Sequence, residues 1–306
     1  MKLENKKLLL KSSSYLSVVC GFVVFIIKLY GYLNTGSMSI FASLIDAGLD
    51  TTSSVLNMFA LQFALTPPDE NHRFGHEKIQ DLAVFGQGVF FIASSIFVLF
   101  SAIMKLTHGK EVVNIESGLY VMMTTTIISI LLVSYQTYVL SIAESNIIKA
   151  DKLHYLTDLL TNITVMISLS ISASYWFIDD VLGILIALYM GISAYKLMKE
   201  ALRNLLDEEC SEQDKEKIIN ILKKYKKRGE IKAIHDLKTR MAGQKYFIQF
   251  HVELDGNMKL YMSHEITENI ERDIVKKLPG AEVIIHQDPT GIDEATPYRN
   301  ELNVAN

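Results

Sequence analysis

The chain has 306 residues, 49% of them hydrophobic and 21% charged, with a formal net charge of -4 and a mean hydropathy of +0.22. These values give no argument for nucleic acid or for an acidic partner: no basic stripe with interleaved aromatics occurs, and the one basic run, K-K-Y-K-K-R at 223–228, reads as a solvated helix end. Two cysteines, Cys20 and Cys210, are too few and too far apart for a disulfide framework or a thiolate metal site, so any metal here uses histidine and carboxylate.

The averages hide two unlike halves. Apolar runs dominate up to about Arg203, and Lys, Glu and Asp dominate after it. Lys2, Lys6, Lys7 and Lys11 precede the first run, but no small-residue cleavage site follows, which predicts a retained span and not a signal peptide. Runs near 13–33, 37–65, 80–107, 116–141, 150–177 and 181–203 are each long enough, at ~1.5 Å per residue, to cross a hydrocarbon core of ~30 Å. They predict six transmembrane helices, the second stopped by Pro67-Pro68 because proline lacks the amide donor. Arg73, Lys78, Lys149, Lys152, Lys199 and Arg203 fall on the N-terminal side of the bilayer and little beyond Lys105 and Lys110 on the other, so the positive-inside rule puts both termini in the cytoplasm.

After Asp207 the pattern predicts a helix over 212–227, a strand over 231–240, an A-G-Q-K hairpin turn, a strand over 246–254, a helix over 260–278 ended by P-G, and a strand over 281–286. The expected fold is a mainly α membrane protein of about six spans followed by a small cytosolic α+β domain of the αββαβ kind. The expected boundaries are a metal-transport domain at 1–207, a metal-binding dimerisation domain at 208–290 and a flexible tail at 291–306.

Charged residues inside a span are costly and usually face an interior cavity. The second run contains S-L-I-D-A-G-L-D-T-T, where Asp46 and Asp50 stand i,i+4 and so share one helix face; the fifth contains D-K-L-H-Y-L-T-D, where His154 and Asp158 do the same. A single pair is as readily a snorkelling or capping feature. Two matched pairs on separate spans make a set of three carboxylates and one imidazole suited to a tetrahedral divalent cation, with zinc or ferrous iron the natural candidates. In the loop P-P-D-E-N-H-R-F-G-H-E-K, Asp69, His72 and His76 are close enough to share one metal, although polar loops carry such residues by chance. In the last domain, I-H-D-L-K-T-R, F-H-V-E-L, S-H-E-I-T and I-H-Q-D-P supply His235, His251, His264, His286 and Asp288. Alternation places Phe250 and Val252 on one strand face and His251 on the other, away from the core. Of eight histidines only His108 lies outside these three groups.

These motifs, D-x-x-x-D on the second span, H-x-x-x-D on the fifth, D-x-x-H-x-x-x-H in the loop and I-H-Q-D-P near the end, resemble those of the cation diffusion facilitator family, in particular the bacterial ferrous-iron and zinc efflux pumps. The resemblance runs from the first span to Pro289. It implies a homodimer of six-span protomers in the bacterial inner membrane, exchanging cytosolic metal for external protons by alternating access, with cytosolic domains that dimerise around structural zinc. It implies Asp46, Asp50, His154 and Asp158 as the transport site, Asp69, His72 and His76 as a loop site, and His235, His251, His264, His286 and Asp288 as a two-metal site. It also implies a charge contact among Lys78, Asp207 and Arg240 at the hinge between domains.

The chemistry agrees with antiport. A metal needs deprotonated ligands, so proton binding and metal binding oppose one another at a carboxylate and histidine site. No G-x-x-x-x-G-K-[ST] phosphate loop is present. Two rival readings are a membrane metalloenzyme, against which stand the absence of H-E-x-x-H and a four-ligand set with no open position, and a metal sensor without flux. Zinc, cadmium and ferrous iron all suit such a site.

Overall fold

In hydrocarbon a chain must satisfy its backbone groups within each segment, which dictates helices, and the first part of this chain consists of them. The computed structural model describes residues 3–35, 38–108, 116–171 and 178–291. The chain divides into two compact units, Met1–Leu202 and Arg203–Asn306. The helices are α1 (Leu3–Thr35), α2 (Met38–Ala64), α3 (Lys78–His108), α4 (Glu116–Ile142), α5 (Asn146–Ile171) and α6 (Ile178–Leu205), in the order expected of the six spans. Among the described residues, three stretches, Glu4–Asn34, Lys78–Phe100 and Met123–Ile142, are long, apolar and charge-poor enough to cross a membrane.

Burial in this unit is inverted relative to a water-soluble bundle. Phe22, Ile26, Phe59, Phe97 and Leu131 are exposed on the outside, whereas Ser17, Gln136 and Asp151 are buried. Apolar side chains outward and polar ones inward is the arrangement that lipid demands. An apolar cluster of Leu61, Val84, Val139, Ile147, Ile148 and Ala201 ties α2, α3, α4, α5 and α6 together.

The second unit contains α7 (Glu212–Lys227), β1 (Ala233–Ala242), β2 (Lys245–Leu254), α8 (Leu260–Lys277) and β3 (Glu282–Pro289), the αββαβ order expected. Ser211 caps α7 by accepting the amide of Asp214 at 3.2 Å, and Lys224, Lys226 and Lys227 sit in its last turn, where the helix dipole favours cations. The buried face Ile218, Ile221, Leu222 and Tyr225 has helical spacing and packs with Ile248, Phe250, Ile270 and Ile274. The sheet order is β1-β2-β3, with β1 and β2 antiparallel and β2 and β3 parallel. Gly243 takes φ 56° in the two-residue turn between β1 and β2, a conformation that favours glycine.

The strand boundaries differ from the sequence reading. β1 runs Ala233–Ala242 instead of 231–240, β2 begins at Lys245 instead of 246, and β3 runs Glu282–Pro289 instead of 281–286. A further feature has no counterpart in it: a β-bulge between His235 and Lys238, with Asp236 at φ 51°. Its cause is parity. Ile234 and Leu237 are both core residues, and an odd separation would put them on opposite faces of a regular strand; one extra residue returns both to the core. Residues 292–306, expected to be a flexible tail, lie outside the described residues.

Candidate metal centres

The helical period brings His154 and Asp158 to one face of α5, and α2 brings Asp50 to meet them. His154 Nε2 lies 3.0 Å from Asp50 Oδ1 and 3.5 Å from Asp158 Oδ2. That nitrogen is buried and has no hydrogen-bond partner. The imidazole is held by stacking on Phe91 of α3 at 5.4 Å and 13° and by an edge contact with Tyr155 at 5.4 Å. One ligand atom from each of Asp50, His154 and Asp158 falls within 4.8 Å of the others, the span of a shared cation. Asp46 is one turn from Asp50 along α2, but its side chain lies outside the described residues.

One turn towards the N-terminus of α5 from His154 stands Asp151, a buried carboxylate that the sequence reading did not single out. It accepts Gln136 Nε2 of α4 at 2.7 Å, Ser54 Oγ at 3.4 Å and Asn57 Nδ2 at 3.5 Å, the latter two from α2. Gln136 also donates to Ser17 Oγ at 3.1 Å, and Tyr155 donates to the Ser17 carbonyl at 3.1 Å. This network cross-links α1, α2, α4 and α5 beside the candidate site. Its sequence signal was the i−3 spacing from His154.

The loop cluster is set by turn chemistry. Proline at 67 and 68 ends α2, and Asp69 then accepts the amides of Asn71 at 2.9 Å and His72 at 2.6 Å. Gly75 at φ 95° turns the chain back. Asp69 Oδ1 lies 3.1 Å from His72 Nδ1, and Oδ2 lies 3.2 Å from His76 Nε2. The bonds to His72, its backbone amide first, hold the Asp69 carboxyl below its ordinary value of 3.8. His76 is buried, and its tautomer follows from its neighbours. Thr66 Oγ1 gives its proton to the Phe63 carbonyl at 2.6 Å, so its contact of 3.1 Å with His76 Nδ1 has the imidazole as donor. Nε2 of the same ring faces the Asp69 carboxylate, an arrangement that suits a cation held between them.

In the sheet, His235 pairs with His251 across β1 and β2, and His251 with His286 across β2 and β3. Three imidazoles therefore form one row on the face opposite the core, with ring centroids 5.0 Å and 4.6 Å apart. Asp288, two residues beyond His286, returns to the same face. Its Oδ2 lies 3.1 Å from His235 Nε2 and 2.9 Å from His251 Nδ1, and its Oδ1 lies 3.0 Å from His286 Nε2. Asp288 Oδ1 and His235 Nδ1 are buried without a hydrogen-bond partner. Glu253 Oε1, 3.8 Å from His235 Nδ1, is too far for one. Orphaned buried donor atoms around a carboxylate with one oxygen towards each of two imidazole groups fit divalent metal. His264 is exposed on α8 and outside the clusters with metal-ligand spacing. Asp207 and Arg240 meet at 3.4 Å.

The family model of the cation efflux transmembrane domain matches residues 14–206, and that of the cation efflux protein cytoplasmic domain matches 210–290. Protein p34 of Rickettsia rickettsii (strain Sheila Smith) is 50% identical over 302 residues, 99% of each chain. Cation-efflux pump FieF of Shewanella oneidensis is 36% identical over 287 residues, 94% of this chain and 96% of the pump. The metal-bound C-terminal domain of the CzcD transporter from Thermotoga maritima is 28% identical, with a TM-score of 0.25, covering 28% of this chain and 100% of that domain.

Proposed function

The chain belongs to the cation efflux family, also called cation diffusion facilitators, and from that premise we propose that it exports divalent zinc, ferrous iron or cadmium from the cytoplasm in exchange for protons. As a member it is a multi-pass membrane transporter and not an enzyme. The observation that carries the finer reading is the convergence of Asp50, His154 and Asp158 from two helices, with a buried imidazole nitrogen 3.0 and 3.5 Å from two carboxylates. With Asp46 as the fourth donor, these residues form the transport site. Cargo binds the deprotonated set, and protons taken up on the other side displace it.

The rest of the assignment follows the same chemistry. Residues 1–207 form the transport domain, with both termini cytoplasmic in a bacterial inner membrane, and 208–290 form the domain through which two copies associate. His235, His251, His286 and Asp288 hold structural zinc there, together with His264, and that zinc supplies charge neutralisation for the buried carboxylate. Asp69, His72 and His76 hold a further ion at the loop. A set that mixes imidazole with carboxylate suits zinc, ferrous iron and cadmium alike.

The test uses purified protein in liposomes with an imposed pH gradient and a zinc-sensitive dye inside. Zinc accumulation that collapses with the gradient is expected. Accumulation independent of the gradient, or none, would refute antiport.

A further inference from the structure

From Ser12 to Asn34, α1 contains one charged residue, Lys28. An ammonium group within a span is retained where it faces a cavity or a partner, and Lys28 faces a cavity. It lines a space of 170 Å³ together with Gly21 of α1, Asp50 of α2, Thr125 of α4, and Asp158 and Asn162 of α5. The cavity therefore contains two of the three clustered ligand residues and one cation of the protein's own.

A second observation fixes the orientation of this side of α1. Gly21 and Lys28 are seven residues apart, two helical turns, and lie on one face. At Gly21 that face is pressed inward: an added Cβ would stand 3.1 Å from Thr51 Oγ1 of α2 and 3.4 Å from Tyr155 Oη of α5. The side of α1 that carries Lys28 is thus the side against the site. Among the described residues Lys28 makes no ion pair within 4.0 Å, so no described carboxylate holds its charge in a fixed contact.

We propose that Lys28 is the tethered countercation of the transport site: a fixed positive charge that weakens the hold of Asp50 and Asp158 on a divalent ion and balances their charge once the ion has left. The inference rests on the transport reading given above. Its physical basis is like-charge repulsion across the cavity that Lys28 shares with Asp50 and Asp158, which offsets part of the attraction of the two carboxylates for a divalent ion. Lys28 acts on the cargo through space and is a specificity and release residue, not a ligand.

The experiment measures zinc uptake by the full-length protein in liposomes for wild type, K28R, K28Q and K28M. Removing the charge is expected to lower KM by at least about tenfold: a unit charge acting on a divalent ion at roughly 10 Å through an effective dielectric near 20 is worth on the order of a hundredfold before solvent screening. The maximal rate should fall in the same two variants, because release becomes slow, and K28R should behave as wild type. An unchanged or raised KM in both neutral variants overturns the proposal, as does a loss of rate with KM unchanged, which a packing role would give. Failure of both neutral variants to fold while K28R folds would mark a packing element and overturns it as well. Wild-type protein without any uptake would sink the transport reading itself, an outcome distinct from active wild type with indifferent Lys28 variants.

Discussion

Asp50 Oδ1 and His154 Nε2 stand 3.0 Å apart across the contact between α2 and α5, and the nitrogen has no hydrogen-bond partner. Asp50→Ala removes a donor and little apolar packing. Zinc uptake in liposomes should drop by more than about a hundredfold, since loss of an outer-shell partner alone costs 10–100-fold. The gel-filtration profile should stay as in wild type. Retained uptake would show that Asp50 is not a ligand.

His154 is the one nitrogen donor proposed for the membrane site. His154→Asp keeps four donors at the same spacing and makes the set all-carboxylate, which suits harder ions. The ratio of zinc to manganese uptake rates should fall in the mutant. A constant ratio would remove His154 from the selecting set.

Asp69 offers a pH prediction with a definite sign. Its carboxyl is held below 3.8, chiefly by the His72 amide, so the folded loop favours the ionised form. The contribution of this turn is present above the ordinary carboxylate value and is lost as pH falls through the lower, folded value. An NMR titration of the Asp69 carboxyl carbon should give a midpoint below 3.8, and Asp69→Asn should abolish the difference in amide exchange of His72 between pH 5 and the acid limit. A midpoint above 3.8 would contradict the observed bonds.

Asp288 shares its two oxygens between different imidazoles, so its loss should cost more metal than loss of one histidine. Purified Asp288→Ala protein should lose the zinc of both groups by elemental analysis, and His286→Ala only part of it. Chelator should lower the melting temperature of the wild type, because ligand at 100 times its Kd stabilises by about 2.7 kcal/mol, and should lower that of Asp288→Ala less. Equal zinc content in all three proteins would refute the assignment.

The His154–Asp158 pair was legible because helical period alone puts the two side chains together, and the alternation around His251 told the polar face of β2 from its core face. Distances between helices carry no such period. The partners of Asp151, supplied by Gln136, Ser54 and Asn57, come from two other helices, and nothing in the spacing of one helix announces them. Lys28 was passed over in the sequence, since its significance depends on which face of α1 meets α2. The His76 tautomer likewise needed Thr66 and Phe63 in place.

The bulge at Asp236 also constrains how this domain can change length. It is the point where the row of imidazoles and the apolar layer, which lie on opposite faces of one strand, are brought into phase. Deleting Asp236 from the bulge would leave Ile234 and Leu237 two residues apart on one face of a regular strand, with His235 still opposite His251, so both layers would keep their sides. A single-residue deletion between Lys238 and Ala242, with the hairpin end anchored by the Gly243 turn, would instead carry everything before it round by half a period, turning His235 towards the apolar layer and Ile234 towards the metal face. Natural variation in the length of β1 should therefore gather at the bulge, and further variation in the domain beyond β2, around Asp255 to Lys259.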